Sequence, residues 1–247
     1  MGGSRGFLHT GDNSGFTDSS FSASFGFLGV IMDISGIDYL GLDRVLRRGS
    51  GEILIEQEDA ILVRDRVSEA YMLACEDTAV GFSLLDRYIG QDCDLLMVSG
   101  YSLGIAAVKR YGFSDKLECF QAAYFGEKPS DKAGLSFRTA EEQDLKMLTE
   151  NYRLISPEEL EKVVERRSVL LGYFQGRLIG FVGEHLEGSM GILYVFPEHR
   201  HRGFGTSLQT HLIVKTMEKG YIPFGQVEKE NLASLNLQKK IGMLWFL

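Results

Sequence analysis

The sequence predicts an α/β (α+β) protein: a mixed, mostly antiparallel sheet flanked by helices. Three observations carry this. Strand-sized apolar runs, several in partial alternation, are separated by gaps short enough for hairpins. Helical runs lie among them, bounded by Ser, Thr, Gly and Pro. One nearly all-apolar run, residues 93–98, has the pattern of a strand buried on both faces in parallel pairing.

The first 31 residues are rich in Gly, Ser and Phe, show no period and carry little charge. They lack a basic segment followed by a solid apolar core, so they are a poor secretory signal and read as a disordered leader. An N-terminal domain is expected over 32–125. It opens with a short helical segment, 33–48, in which Leu40, Leu42, Val45 and Leu46 share a face, and Gly49-Ser50-Gly51 breaks it. Three strands follow at 52–57, 60–67 and 70–76. Thr78 is the expected N-cap of a helix over 79–89. The buried strand 93–98, a helix over 103–111 ending at Gly112, and a strand over 117–124 complete the half.

Residues 126–134 read GEKPSDKAG, a polar stretch with Pro and two Gly, and form the expected linker. The C-terminal domain, 135–247, begins with a strand at 135–138. Thr139 and Glu142 have the spacing of a capping box before a helix over 141–152. Ser156 caps a helix that starts at Pro157. Strands 169–175 and 178–185 meet at Gln175-Gly176-Arg177, a hairpin-type turn. A strand over 188–196 leads into a helix over 203–219, whose Leu208, Leu212, Ile213, Thr216 and Met217 share a core-facing stripe. A strand over 223–228 and a helix over 233–241, stopped by Gly242, come last.

Bulk properties exclude several classes. A formal net charge of −8 argues against a general nucleic-acid binder. It does not argue against a small anion, because basic residues cluster locally. Cys75, Cys93 and Cys119 have no CxxC or metal spacing, which suggests free thiols in a reducing cytoplasm. No run approaches the length of a membrane span. His199 and His201 flank Arg200 without a third ligand at zinc spacing, so no metal is expected.

The most informative stretch is residues 191–205, GILYVFPEHRHRGFG. An apolar strand stops at Pro197, a basic turn follows, and Gly203 and Gly205 open the long helix. Glycines let the backbone come close to a ligand. The first turn of a helix offers unpaired N–H groups and a partial positive charge, which suits a phosphate. Arg200 and Arg202 add charge-assisted hydrogen bonds.

Arg200, Gly203 and Gly205 resemble the Arg/Gln-x-x-Gly-x-Gly/Ala signature of the GNAT superfamily of coenzyme A-dependent N-acyltransferases. Asn231, Ser234, Leu237, Lys240, Ile241, Gly242 and Met243 resemble the Asn-x-x-Ala/Ser-x-x-Leu-Tyr-x-Lys-x-Gly-Phe helix of the same family. Residues 187–191 with Gln226, Val227 and Asn231 are similar to its FR47-like branch, which includes glycine N-acyltransferase relatives. The resemblance implies acetyl-CoA, or another acyl-CoA, as co-substrate and an amine as acceptor, with a small molecule or amino acid favoured over a protein tail. A monomer or homodimer without nucleic-acid or membrane partners is expected. It also implies a sheet splayed beside the Gly-motif strand, with the pantetheine arm paired against Leu193, Tyr194 and Val195. The diphosphate would meet Arg200, His201, Arg202, Gly203, Phe204, Gly205 and Thr206. Asn231 would face the arm or the reacting centre, with Ser234 one turn along.

A base must take a proton from the attacking ammonium. Glu228 is the first candidate and Glu184 the second. Where the family often carries an acidic tyrosine, this chain has Gln238, which cannot donate a proton as an acid. Two more strands are expected after the last helix, yet only residues 243–247 remain. In the first half, residues 107–113 resemble the family's Lys-x-Gly-Phe ending, but no Arg-x-x-Gly-x-Gly precedes helix 79–89. A degenerate GNAT-like half without cofactor is therefore expected, in tandem with the C-terminal domain. A coenzyme A-binding module that senses acyl-CoA without turnover is the alternative reading.

Overall fold

The computed structural model describes residues 6–10, 32–89, 93–130 and 133–246. The chain divides into two compact units. One takes the chain up to Gln121 together with Val227–Glu230 and the residues from Trp245; the other is Ala122–Gln226 with Asn231–Leu244.

The first unit contains β1 (Gly6–Thr10), α1 (Leu40–Arg47), β2 (Gly51–Gln57), β3 (Ala60–Asp65), β4 (Tyr71–Cys75), α2 (Thr78–Tyr88), β5 (Leu95–Ser99), α3 (Tyr101–Tyr111) and the greater part of β6 (Leu117–Ala123). Its strands run in the order β6-β1-β5-β4-β3-β2. The β2–β3 and β3–β4 ladders are antiparallel, and β4–β5, β5–β1 and β1–β6 are parallel. Gln57 pairs with Ala60, so Glu58 and Asp59 are a two-residue hairpin loop. β3 is buried on both faces. Ala60 and Leu62 join Leu73, Leu85, Leu96 and Leu103 on one side, and Ile61 and Val63 join Val45 and Met72 on the other.

Three sequence expectations change here. Gly6–Thr10, inside the segment read as a disordered leader, is a strand; the rest of residues 1–31 lies outside the described residues. Its partners are β5 and β6, almost ninety residues away and more, so a local period could not reveal it. The α2 cap is Asp77, not Thr78: the carboxylate accepts from Ala79 N at 2.7 Å and Val80 N at 2.9 Å. The parallel strand begins at Leu95, two residues later than its apolar run.

The second unit contains β7 (Ser136–Thr139), α4 (Leu145–Asn151), α5 (Pro157–Glu165), β8 (Val169–Phe174), β9 (Arg177–Glu184), β10 (Met190–Val195), α6 (Phe204–Glu218), the start of β11 (Phe224–Glu228) and α7 (Leu232–Ile241). Strands β10-β9-β8-β7 form an antiparallel sheet. Gln175 and Gly176 both have positive φ, 51° and 77°, as a two-residue turn matched to strand twist requires. The capping box lies two residues later than expected, between Glu141 and Asp144, because Asp144 also locks onto Arg138 through two hydrogen bonds. Ser156 caps α5 as expected, accepting from Glu159 N at 3.0 Å. Leu208, Leu212 and Ile213 of α6 are buried with Leu171, Ile179 and Phe181 of the sheet.

Residues 243–247 are not a bare tail. Leu244–Phe246 form β12, which pairs with β6, as does β11; Val227–Glu228 and the residues from Trp245 count with the first unit. Among the described residues no helix is long and apolar enough to cross a membrane.

Candidate functional site: the turn between β10 and α6

β10 pairs with β9 up to Val195↔Gly180, and Phe196 N reaches Ile179 O at 3.0 Å. Pro197 then ends the strand, since it has no N–H to offer. A single tight turn, Pro197–His199, leads into the basic residues. His201 and Gly203 both take left-handed backbone, φ 59° and 82°. Left-handed residues thus stand on either side of Arg202.

Gly203 is the N-cap of α6 and provides no side-chain cap. The amides of Phe204, Gly205 and Thr206 therefore have no carbonyl behind them. Ser207 N is the first to bond back, to Gly203 O at 3.2 Å. A Cβ on Gly205 would lie 3.7 Å from Val195 Cγ2, ordinary contact, so internal packing does not demand glycine there.

The two arginines are held in place. Arg200 Nε donates to Val195 O at 3.0 Å, and its guanidinium lies 5.5 Å from the Tyr194 ring centre. Arg202 lies 4.9 Å over Phe204 and 5.8 Å over Phe174. Both side chains are exposed, and among the described residues neither has a carboxylate within 4.0 Å. Three uncapped amides and two exposed arginines thus lie together at the start of α6.

The strand before the turn has a free side. Among the described residues β10 pairs only with β9. β11 meets it at one point: a Cβ on Gly225 would come 2.6 Å from Met190 O, yet the two strands share no ladder. Leu193 and Val195, half-buried and alternating with Tyr194, consequently face that edge, where the Val195 carbonyl already accepts from Arg200. A bulge at Gly191 sets their register against β9.

The acidic candidates differ sharply. Glu184 is 4% exposed and accepts from Thr216 Oγ1 at 2.8 Å and Lys219 Nζ at 3.4 Å, tying β9 to α6. Glu184→Gln should lower the unfolding midpoint by a few degrees, about 1–2 kcal/mol for weakened charge-assisted bonds. Coenzyme A affinity, read by calorimetry, should stay within about twofold. Glu228 ends β11, is exposed, and counts with the first unit. Asn231 is the N-cap of α7, its Oδ1 accepting from Ser234 N at 3.0 Å. That bond leaves the Asn231 amide N–H groups for other partners. Ser234 is half-buried one turn inside the helix.

A further polar cluster lies close to these acids in the chain. In the β9–β10 hairpin, buried Ser189 donates a short hydrogen bond to buried Glu187. His185 Nδ1 lies 3.5 Å from Glu159, and its ring rests on Gly191, where a Cβ would come within 2.2 Å of Nε2. Burial alone would lower the His185 pKa, but the Glu159 hydrogen bond and the charges of Glu187 and Glu159 outweigh it and raise the value. Tyr152 donates to Gly191 O at 3.0 Å, and burial pushes its phenol well above the usual range.

In the first unit α3 also starts at a glycine, Gly100, without a side-chain cap, whereas α2 is capped. The Asp77 carboxylate fills the amides that start α2, and β4 and β5 are hydrogen-bonded over Tyr71–Ala74.

An FR47-like protein family model matches residues 170–244. No curated protein sequence matches the chain. Among solved structures, a Drosophila protein is 15% identical with a TM-score of 0.54, covering 89% of this chain and 96% of its own. A GCN5-related N-acetyltransferase-like protein from Streptococcus suis is 12% identical with a TM-score of 0.48, covering 84% and 89%. An acetyltransferase from the GNAT family from Colwellia psychrerythraea is 14% identical with a TM-score of 0.46, covering 76% and 78%. The family-model match thus falls on residues 170–244, within a mixed α/β fold of sheets flanked by helices.

Proposed function

We propose that the chain is an acyl-CoA-dependent N-acyltransferase, with acetyl-CoA as donor and a small-molecule amine or amino acid as acceptor. The observation that carries this reading is the set of uncapped amides at Phe204, Gly205 and Thr206, next to the unpaired edge of β10. A helix start without a cap leaves donors unsatisfied, and an anion satisfies them. Arg200 and Arg202 neutralise the diphosphate, each held by a contact that limits its loss of entropy on binding. Leu193, Tyr194 and Val195 would align the pantetheine arm as an added strand. Bound there, coenzyme A supplies the acyl group as a thioester.

The chain's residues then have three tasks. The backbone N–H groups of β10 would stabilise negative charge developing on the acyl oxygen. Glu228 would accept the proton from the acceptor's ammonium. Asn231, fixed by its cap bond to Ser234, would orient the arm through its free amide N–H groups. Glu184 serves α6 rather than the reaction, because its carboxylate is already shared with Thr216 and Lys219. The first unit, with Asp77 in the position an anion would need, would be the partner half of a tandem pair that binds no donor.

Thermal melting with acetyl-CoA tests binding. At about 100 times the dissociation constant a native-state ligand adds about 2.7 kcal/mol, a rise of several degrees. Thiol release over a panel of small amines and amino acids tests turnover. A shift without release on any amine would favour a sensor of acyl-CoA. Absence of any shift would overturn the donor site itself.

A further inference from the structure

Gly191 must be a glycine because of a neighbour, not because of its backbone. Its φ is not left-handed, so the conformation itself does not call for glycine. The space does: a Cβ there would lie 2.2 Å from His185 Nε2 and 2.4 Å from Cδ2. The imidazole thus rests on the bulge that sets the register of β10 against β9. The Gly191 carbonyl is held as well, by the Tyr152 hydroxyl at 3.0 Å, at the end of α4. Acids from two elements face His185 in turn. Glu159 of α5 lies 3.5 Å from Nδ1. Glu187, 7% exposed, shares the tight loop closed by His185 N to Ser189 O at 2.8 Å and Gly188 N to His185 O at 3.0 Å. Ser189 satisfies one Glu187 oxygen, but a carboxylate so enclosed also needs a counter-charge, and the imidazole is the group beside it. Glu184, next in the chain, is committed to Thr216 and Lys219, and burial keeps Tyr152 a neutral phenol. Burial alone would strip His185 of its proton early, but the Glu159 contact and the charges of Glu187 and Glu159 outweigh it.

We propose that His185 is a charge-dependent pin for the β10 bulge, a positioning residue that joins Glu159 of α5 to Glu187 of the hairpin loop and bears on Gly191 only while its imidazole is protonated. When the proton leaves to solvent, the two carboxyl groups have no cation beside them, and α5 loses its hold on the hairpin. The register of Leu193, Tyr194 and Val195 follows from the bulge. The strand assigned to the donor arm is therefore firm with His185 charged and looser without the charge, a step that rests on the acyl-transfer reading. The sign is fixed by linkage. Folding raises the His185 titration, so the pin stabilises the fold fully below the ordinary value near 6.5 and stops doing so as pH rises through the native one. The pin holds on the acid side and lets go on the alkaline side.

Thermal melting, histidine NMR and coenzyme A calorimetry at about pH 6 and about pH 9, on either side of an imidazole titration, test this. The proteins are wild type, His185→Asn and Glu159→Gln. Asparagine keeps a donor near the place of Nδ1 but cannot be charged. Glu159→Gln keeps the imidazole and removes the charge on α5. From the lower pH to the higher, the wild-type midpoint should fall by about 2–4 °C more than that of His185→Asn. Glu159→Gln should move the His185 titration down. At the lower pH wild type should bind coenzyme A about fivefold more tightly than His185→Asn, the low end of coupling between linked sites. At the higher pH the two should bind alike; the ligand's own titrations are common to both and cancel in the ratio. Parallel midpoint curves for wild type and His185→Asn, or a His185 titration unmoved in Glu159→Gln, overturn the pin. Diverging midpoints with the same affinity ratio at both pH values overturn its link to the β10 edge and leave the donor site standing. Wild-type protein that binds no coenzyme A at either pH overturns the acyl-transfer reading, while the midpoints still decide the pin.

Discussion

Gly203→Asp should weaken coenzyme A binding about a hundredfold and leave the unfolding midpoint within a few degrees of wild type. Gly203 is the N-cap of α6, exposed, with nothing of the protein within 4 Å of the position a Cβ would take. A carboxylate there would sit about 4 Å from a diphosphate on the Phe204–Thr206 amides. At an effective dielectric near 20 that repulsion is about 4 kcal/mol before salt screening, and about 2–3 kcal/mol after it. Stability moves little because two terms oppose. An acid at a helix start contributes about 0.5–1 kcal/mol. A non-glycine residue at φ 82° costs about 1 kcal/mol. The chain already contains the arrangement this substitution imitates, since Asp77 caps the first unit's α2 through two amides. Titration calorimetry gives the affinity and thermal melting the stability. Unchanged coenzyme A affinity would mean that these amides do not hold the donor.

The turn was legible because its chemistry is local. A strand, a proline, two turn glycines and the start of a helix follow one another within fifteen consecutive residues, and each has one conformational meaning. The hairpins were legible for the same reason: Gln175-Gly176 states its own turn type. What could not be read depends on partners distant in sequence. β1 exists because β5 and β6 present unpaired edges to it, and β12 because β6 does. Caps moved by one or two residues because carboxylates compete: Asp77 takes the amides offered to Thr78, and Asp144 prefers the position that also meets Arg138. Glu184 illustrates the limit for chemistry. Its place at the end of β9 is a matter of sequence, but its engagement by Thr216 and Lys219, more than thirty residues on, is not.

That engagement is why Glu228, and not Glu184, should control the reaction's response to pH. Glu228→Gln should lower kcat/KM for the amine by about a hundredfold or more, the usual contribution of a positioned base. Among the described residues the Glu228 carboxylate makes no hydrogen bond or ion pair. It does sense one neighbour: burial, with the Glu228 charge adding to it, pushes the Cys119 thiol up to about 12. The carboxylate is thus uncommitted, as a base must be. The sign follows directly. A base works only when deprotonated, so wild-type activity falls as pH drops through its titration, and removing the carboxylate removes that acid limb. Coenzyme A affinity should stay within about twofold, since glutamine preserves volume and touches no amide of the β10–α6 turn. A rate loss accompanied by an equal loss of donor affinity would indicate a fault in binding. An acid limb that persists in Glu228→Gln would move the base elsewhere, and the buried Glu187–Ser189 pair at the start of β10 would be the next group to alter.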